Sequence, residues 1–123
     1  MTASIPPGWP ARVPPPGTDA FTEKATGFLL DALPPGYRDH DVLRRWPAAL
    51  ASLAHYHMEA VIVGHRRGYR TARTELGEHV PPHAIDAVLS AYRTEGQRLA
   101  AEAQSIDLVA RALRSQARRG GRP

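Results

Sequence analysis

The chain has 123 residues, 16 basic against 12 acidic side chains, twelve prolines, ten glycines and no cysteine. That length suits one domain with a real hydrophobic core, and the missing cysteines exclude disulfides, Cys-ligated zinc, iron–sulfur clusters and thiol catalysis. The apolar run Val61-Ile62-Val63 falls far short of the ~20 residues that span a bilayer, and Met1–Pro6 has neither the basic nor the apolar part of a secretory signal, so a cytoplasmic protein with no membrane partner is expected.

Residues 1–17 hold six prolines, in Ile5-Pro6-Pro7-Gly8-Trp9-Pro10 and Val13-Pro14-Pro15-Pro16-Gly17. Proline fixes φ and removes a donor, which predicts a Pro-rich extended arm over 1–17. Trp9 and Val13 are expected to dock on the body, although Pro7-x-x-Pro10 also has the spacing that an SH3-type groove takes. A helical bundle follows over 18–118. Thr18 or Asp19 can cap a helix over 19–33, with Phe21, Ala25, Phe28, Leu29 and Ala32 on one side. Pro34-Pro35-Gly36 ends it. Asp39 or Asp41 then caps a short helix over 40–46 through Val42, Leu43 and Trp46.

Pro47 is tolerated as the first residue of the next helix, over 47–76. Gly77 is its C-cap, and Val80-Pro81-Pro82 makes the turn. A second long helix covers 82–118, and its pattern is the cleanest signal in the chain. Ile85, Leu89, Tyr92, Gly96, Leu99, Ala103, Ile106, Ala110, Leu113 and Ala117 alternate steps of four and three without a charge. That is a heptad seam. Two long helices joined by a short loop run antiparallel. The expected fold is all-α: a long antiparallel helical hairpin with a coiled-coil seam and one shorter packed helix, making a three- to four-helix bundle. A basic flexible tail over 119–123 would complete the chain.

With the loop centred near residues 80–81, Leu76 faces Ile85, Ala72 faces Leu89, Gly68 faces Tyr92 and Gly64 faces Gly96. His57 then faces Ala103, Leu53 faces Ile106, and Trp46 comes near Leu113. Ala60, Gly64, Gly68 and Ala72 recur every four residues as a smooth ridge, and with Tyr92 and Gly96 they form the expected helix-packing set. Closest approach is expected at Gly64 and Gly96; a slot for a ligand or partner helix is the other reading of the ridge. The long helices span ~45 Å or more, against ~22 Å for the first. Leu50, Leu53, Met58, Val61, Ile62 and Val63 also spread over more than one stripe. A second copy is the simplest cover for what is left, so a homodimer is expected.

The six histidines are His40, His55, His57, His65, His79 and His83. His55, His57, Glu59 and His65 are the candidate metal ligands, because His55 and Glu59 share one helical face and His57 and His65, eight apart, lie on a similar face as each other. The facing helix offers no histidine beyond His83, and Ala103 lies opposite His57. Surface or hydrogen-bonded histidines, with His55–Glu59 as an ordinary helix pair, are the competing reading. No cofactor is expected. None of Ser4, Ser52, Ser90, Ser105 and Ser115 sits in a Gly-x-Ser-x-Gly elbow. Gly64-x-x-x-Gly68 lies inside a helix and makes no phosphate cradle. No catalytic residue is assigned, and a non-enzyme is expected.

Charge is unevenly placed. Residues 1–46 are neutral, 47–79 carry +1, 80–110 carry −2, and 111–123 carry +5. Arg66, Arg67, Arg70 and Arg73, with Tyr69 among them, and Arg111, Arg114, Arg118 and Arg119 could form a phosphate-contacting stripe. Cations near a helix C-terminus also complement its dipole, which needs no nucleic acid. Fifteen arginines against the single lysine Lys24 fit a high-GC genome.

Several segments carry a resemblance: Phe28-Leu29-Leu30-Asp31, Pro35-Gly36-Tyr37-Arg38, Val42-Leu43-Arg44-Arg45-Trp46-Pro47, and Tyr69-Arg70-Thr71-Ala72-Arg73-Thr74-Glu75-Leu76-Gly77 with Val80-Pro81-Pro82. Through Leu113 the chain resembles uncharacterised small helical proteins of high-GC actinobacteria. The resemblance implies a bacterial cytoplasmic protein and brings no activity or site residue with it. The expected function is a self-associating protein–protein interaction, scaffold or regulatory accessory protein with an unknown protein partner. A nucleic-acid-associated accessory protein is the alternative.

Overall fold

The structure, a computed structural model, describes residues 5–120. Its elements are α1 (Phe21–Ala32), a short 3-10 turn (Pro35–Asp39), α2 (Asp41–Arg45), α3 (Pro47–Leu76) and α4 (Pro82–Gly120), with no strand among the described residues. Proline opens both long helices, where its missing N–H leaves no intrahelical bond unmade. Arg119 and Gly120, expected in the tail, still belong to α4; residues 121–123 lie outside the described residues.

The caps differ from expectation. Thr18 does not cap α1: its hydroxyl donates to the Pro15 carbonyl at 2.8 Å, and α1 begins after Ala20 with no side-chain cap. His40 precedes α2, and Asp41 already lies in its first turn, paired with Arg45 at 2.8 Å.

The proline segment folds back instead of extending. The Trp9 N–H donates to the Pro6 carbonyl at 3.1 Å and the Thr18 N–H to the Pro15 carbonyl at 3.4 Å. Each bond closes a turn whose third residue is a glycine at φ +92°, Gly8 in one and Gly17 in the other. Proline second and a left-handed glycine third are the chemistry of a type II turn, so Pro-Pro-Gly reverses the chain. The turns bring the segment onto the bundle. Val13 is buried, the Trp9 indole N–H donates to the Val13 carbonyl at 2.8 Å, and the Trp9 ring stacks on Phe21 with centroids 6.1 Å apart. From α4, Gln104 donates to the Pro7 carbonyl at 3.2 Å and Ser105 to the Gly8 carbonyl at 2.6 Å.

Asp31 of α1 clamps this segment. Its carboxylate accepts from Arg12 at 2.7 Å and also from Arg38 of the 3-10 turn. The Arg12 guanidinium, helped by that of Arg38, holds the Asp31 carboxyl below the usual aspartate range. A folded-state value that is depressed gives stability in full above the unfolded aspartate value of about 3.9, and that stability is lost as pH falls through the folded value. All three side chains are about half exposed, so solvent screening keeps the loss within ~1 kcal/mol. Urea unfolding at neutral and at strongly acidic pH should therefore show a smaller acid loss for Asp31→Asn than for the native chain.

The main core joins Phe21, Leu29 and Leu30 of α1 and Leu43 of α2 to Leu50, Ala54 and Met58 of α3 and Ile106, Val109 and Leu113 of α4. A second, small cluster sits at the other end: Ala72, Ile85 and Leu89, flanked by Leu76, Val80 and Tyr92. Contacts between the long helices run from His55 with Asp107, through His65 with Tyr92, to Arg73 with Asp86. Of the ten seam positions on α4, only Ala117 is exposed.

The ridge on α3 behaves otherwise. Ala60 and Gly64 are exposed, Gly68 is half-buried and Ala72 is buried. A spacing of four advances ~40° per step around a helix of 3.6 residues per turn, so four such residues cannot all face one neighbour. A Cβ at Gly64 would meet nothing within 4 Å, whereas one at Gly96 would stand 3.3 Å from His65 Nε2. The histidine, not Gly64, fills the space over Gly96. Gly68 does lie against Tyr92, since a Cβ there would be 2.5 Å from the phenol oxygen. Trp46, placed near buried Leu113 by the register, is 62% exposed.

Candidate functional site

The side on which α1 packs, and its length, decide which surface stays open. At ~1.5 Å per residue, α1 covers about 18 Å, against about 45 Å for α3 and 58 Å for α4. One flank of the long pair is lined by α3 and α4 alone. There, two open depressions of about 430 and 440 Å³ share Ile62, Arg66, Ala103 and Asp107. His55, Glu59 and Val63 line the first, and Ala100, Leu108 and Arg111 the second. The helical repeat explains the lining. His55, Glu59, Ile62 and Arg66 follow steps of four, three and four, which stack side chains on one helix face. Ala100, Ala103, Asp107 and Arg111 follow steps of three, four and four on α4, which likewise share a face.

The result is an apolar floor with two acids and two arginines on its rim. Val63 is 58% exposed and Tyr56, two turns away, 62%. Gln104, whose amide holds the Pro7 carbonyl, places the N-terminal turn at the edge of this groove. Among the described residues, no buried side-chain nitrogen or oxygen lacks a hydrogen-bond partner.

The candidate metal ligands separate into three surroundings. His55 Nδ1 donates to Asp107 Oδ1 at 3.0 Å across the helix pair, with Glu59 on the same groove. His57 meets the Tyr37 ring edge-on, with centroids 6.4 Å apart. His65 Nε2 donates to the Tyr92 carbonyl at 2.7 Å, its ring against that of Tyr92. Among the described residues, no three histidine, aspartate or glutamate side chains converge.

The arginines also fall into groups. Arg66, Arg67 and Arg70 are exposed and pair with no acid among the described residues, whereas Arg73 reaches Asp86 at 3.1 Å. Arg111, Arg118 and Arg119 are exposed and Arg114 half-buried. Arg66 of the first group and Arg111 of the second line one depression, while Arg118 and Arg119 lie further along α4. The slot side of the ridge is an open depression of about 520 Å³ lined by Gly64, Arg67, Gly68, Arg70, Thr71, Thr74 and Glu75. Thr71 donates to Glu75 there, closing a local bond between two of its own walls.

Sequence reasoning missed Asp107 as the partner of His55, and the signal lay in the register: a loop centred near 80–81 puts position 55 opposite 106, one residue from Asp107. It also missed Gln104 and Ser105 as anchors, which no local pattern announces. Comparison with protein-family models, curated proteins and solved structures finds no match. Among the described residues no helix is long and apolar enough to cross a membrane.

Proposed function

We propose that the chain is a non-enzymatic helical interaction protein, a scaffold or regulatory accessory subunit, that acts as a homodimer. In this reading α3 and α4 form an antiparallel coiled-coil hairpin whose monomeric three- to four-helix bundle is incomplete. The observation that carries it is the open flank of the long pair, where Val63 is exposed, Ile62 is half-buried and no residue of α1 joins the lining. A soluble chain gains by covering such a patch, and a second copy is the cover that is always present at equal concentration. Light scattering at micromolar concentration should report twice the chain mass; a single-chain mass throughout would refute the reading.

A second reading, a nucleic-acid-associated accessory protein, is favoured by Arg66, Arg67 and Arg70, which have no acidic partner among the described residues. Phosphate contacts weaken steeply with salt. Salt-sensitive retention of DNA or RNA, set beside the same measurement on a chain lacking residues 111–123, separates this reading from the first and tells the α3 patch from the tail.

A further inference from the structure

We infer that the groove on α3 and α4 docks against the same groove of a second copy, the two α3 helices running in opposite directions about a two-fold axis between Ile62 and Val63. This rests on the self-association proposed above and names its surface. Glu59 and Arg66 stand one helical step to either side of the Ile62–Val63 pair, and both are exposed. Neither takes part in an ion pair within the chain among the described residues. Reversing α3 about that midpoint carries the level of Glu59 onto the level of Arg66. Each copy then offers a carboxylate to the other's guanidinium, twice over, while the apolar residues between them meet their own kind.

Polarity is specified by the same two side chains. A same-direction pairing would set Glu59 beside Glu59 and Arg66 beside Arg66, and like charges across an interface are strongly disfavoured. A polyanion fits the groove poorly, because Glu59 and Asp107 line it and offset Arg66 and Arg111. The balance of charge suits a surface that is its own complement, which is what a second copy supplies.

The test is a charge exchange in the full chain, read by sedimentation equilibrium. Glu59→Arg and Arg66→Glu each place like charges against each other twice, and each should weaken the dimer by about tenfold or more. The double variant E59R/R66E restores both pairs and should return the dissociation constant to within a few-fold of the native one. Both positions are exposed, so circular dichroism should show unchanged helix in all three variants. A native dimer that neither single variant weakens would overturn this surface and leave self-association standing. A double variant as weak as the singles would overturn the Glu59–Arg66 pairing. A monomeric native chain would overturn both the surface and the reading beneath it.

Discussion

Phe21→Ala is expected to cost about 3–5 kcal/mol of stability and to free the N-terminal turns from the bundle. Phe21 is wholly inaccessible in the main core, where α1 meets α3 and α4, and Trp9 stacks on its ring. Truncation removes the ring's burial and leaves a void that helices on three sides cannot close. It also takes away the platform under Trp9, whose indole otherwise fixes the Val13 carbonyl. Two readouts follow from one variant: a lower urea midpoint, and a red shift of tryptophan emission in the folded baseline. The shift reports Trp9, because Trp46 is already exposed. A loss under ~1 kcal/mol with unchanged emission would show that the arm is held elsewhere.

Gly96→Leu is expected to cost about 2–4 kcal/mol, mostly at the far end of the long pair. The space over Gly96 belongs to His65, whose ring lies close enough that even a methyl would stand 3.3 Å from Nε2. A leucine must displace the ring and break its bond to the Tyr92 carbonyl. Beyond that neck the buried contact between the helices is the small cluster of Ala72, Ile85 and Leu89 with their flanking residues, beside the exposed Arg73–Asp86 pair. Amide exchange around Leu89 should therefore quicken more than exchange around Ile106. Gly64→Ala is the matched control: it enters open space inside a helix and should gain up to about 1 kcal/mol. Equal losses at both glycines would remove His65 from the account.

The two long helices were legible because punctuation and periodicity agreed. Pro47 and Pro82 open them, Gly77 follows the first, and the seam on α4 keeps a mean step of three and a half, which drifts slowly around a helix. The ridge on α3 was misread because a step of four drifts fast, and small side chains alone do not say who approaches them. His65 could not be assigned to Gly96 from spacing, since its reach depends on how the helix axes cross. The Pro-Pro-Gly turns were legible in principle, as each pairs proline with a glycine free to adopt positive φ. Six prolines in seventeen residues point to an extended arm, whereas the two Pro-Pro-Gly placements turn the chain.

The groove was half visible. Glu59 stood out beside His55 as a metal candidate and Arg66 beside Arg67 as a phosphate contact. Which side of the two long helices α1 covers is a tertiary fact, and only that choice leaves the two residues on one open surface.

The two interhelical histidines differ in where their protons sit. A carbonyl oxygen only accepts, so His65 in its neutral form keeps its hydrogen on Nε2 to reach Tyr92. An ionised aspartate likewise only accepts, so neutral His55 keeps its hydrogen on Nδ1 to reach Asp107. The chain thus holds both imidazole tautomers on one helix, and the nitrogen with a lone pair to spare is Nδ1 at one site and Nε2 at the other.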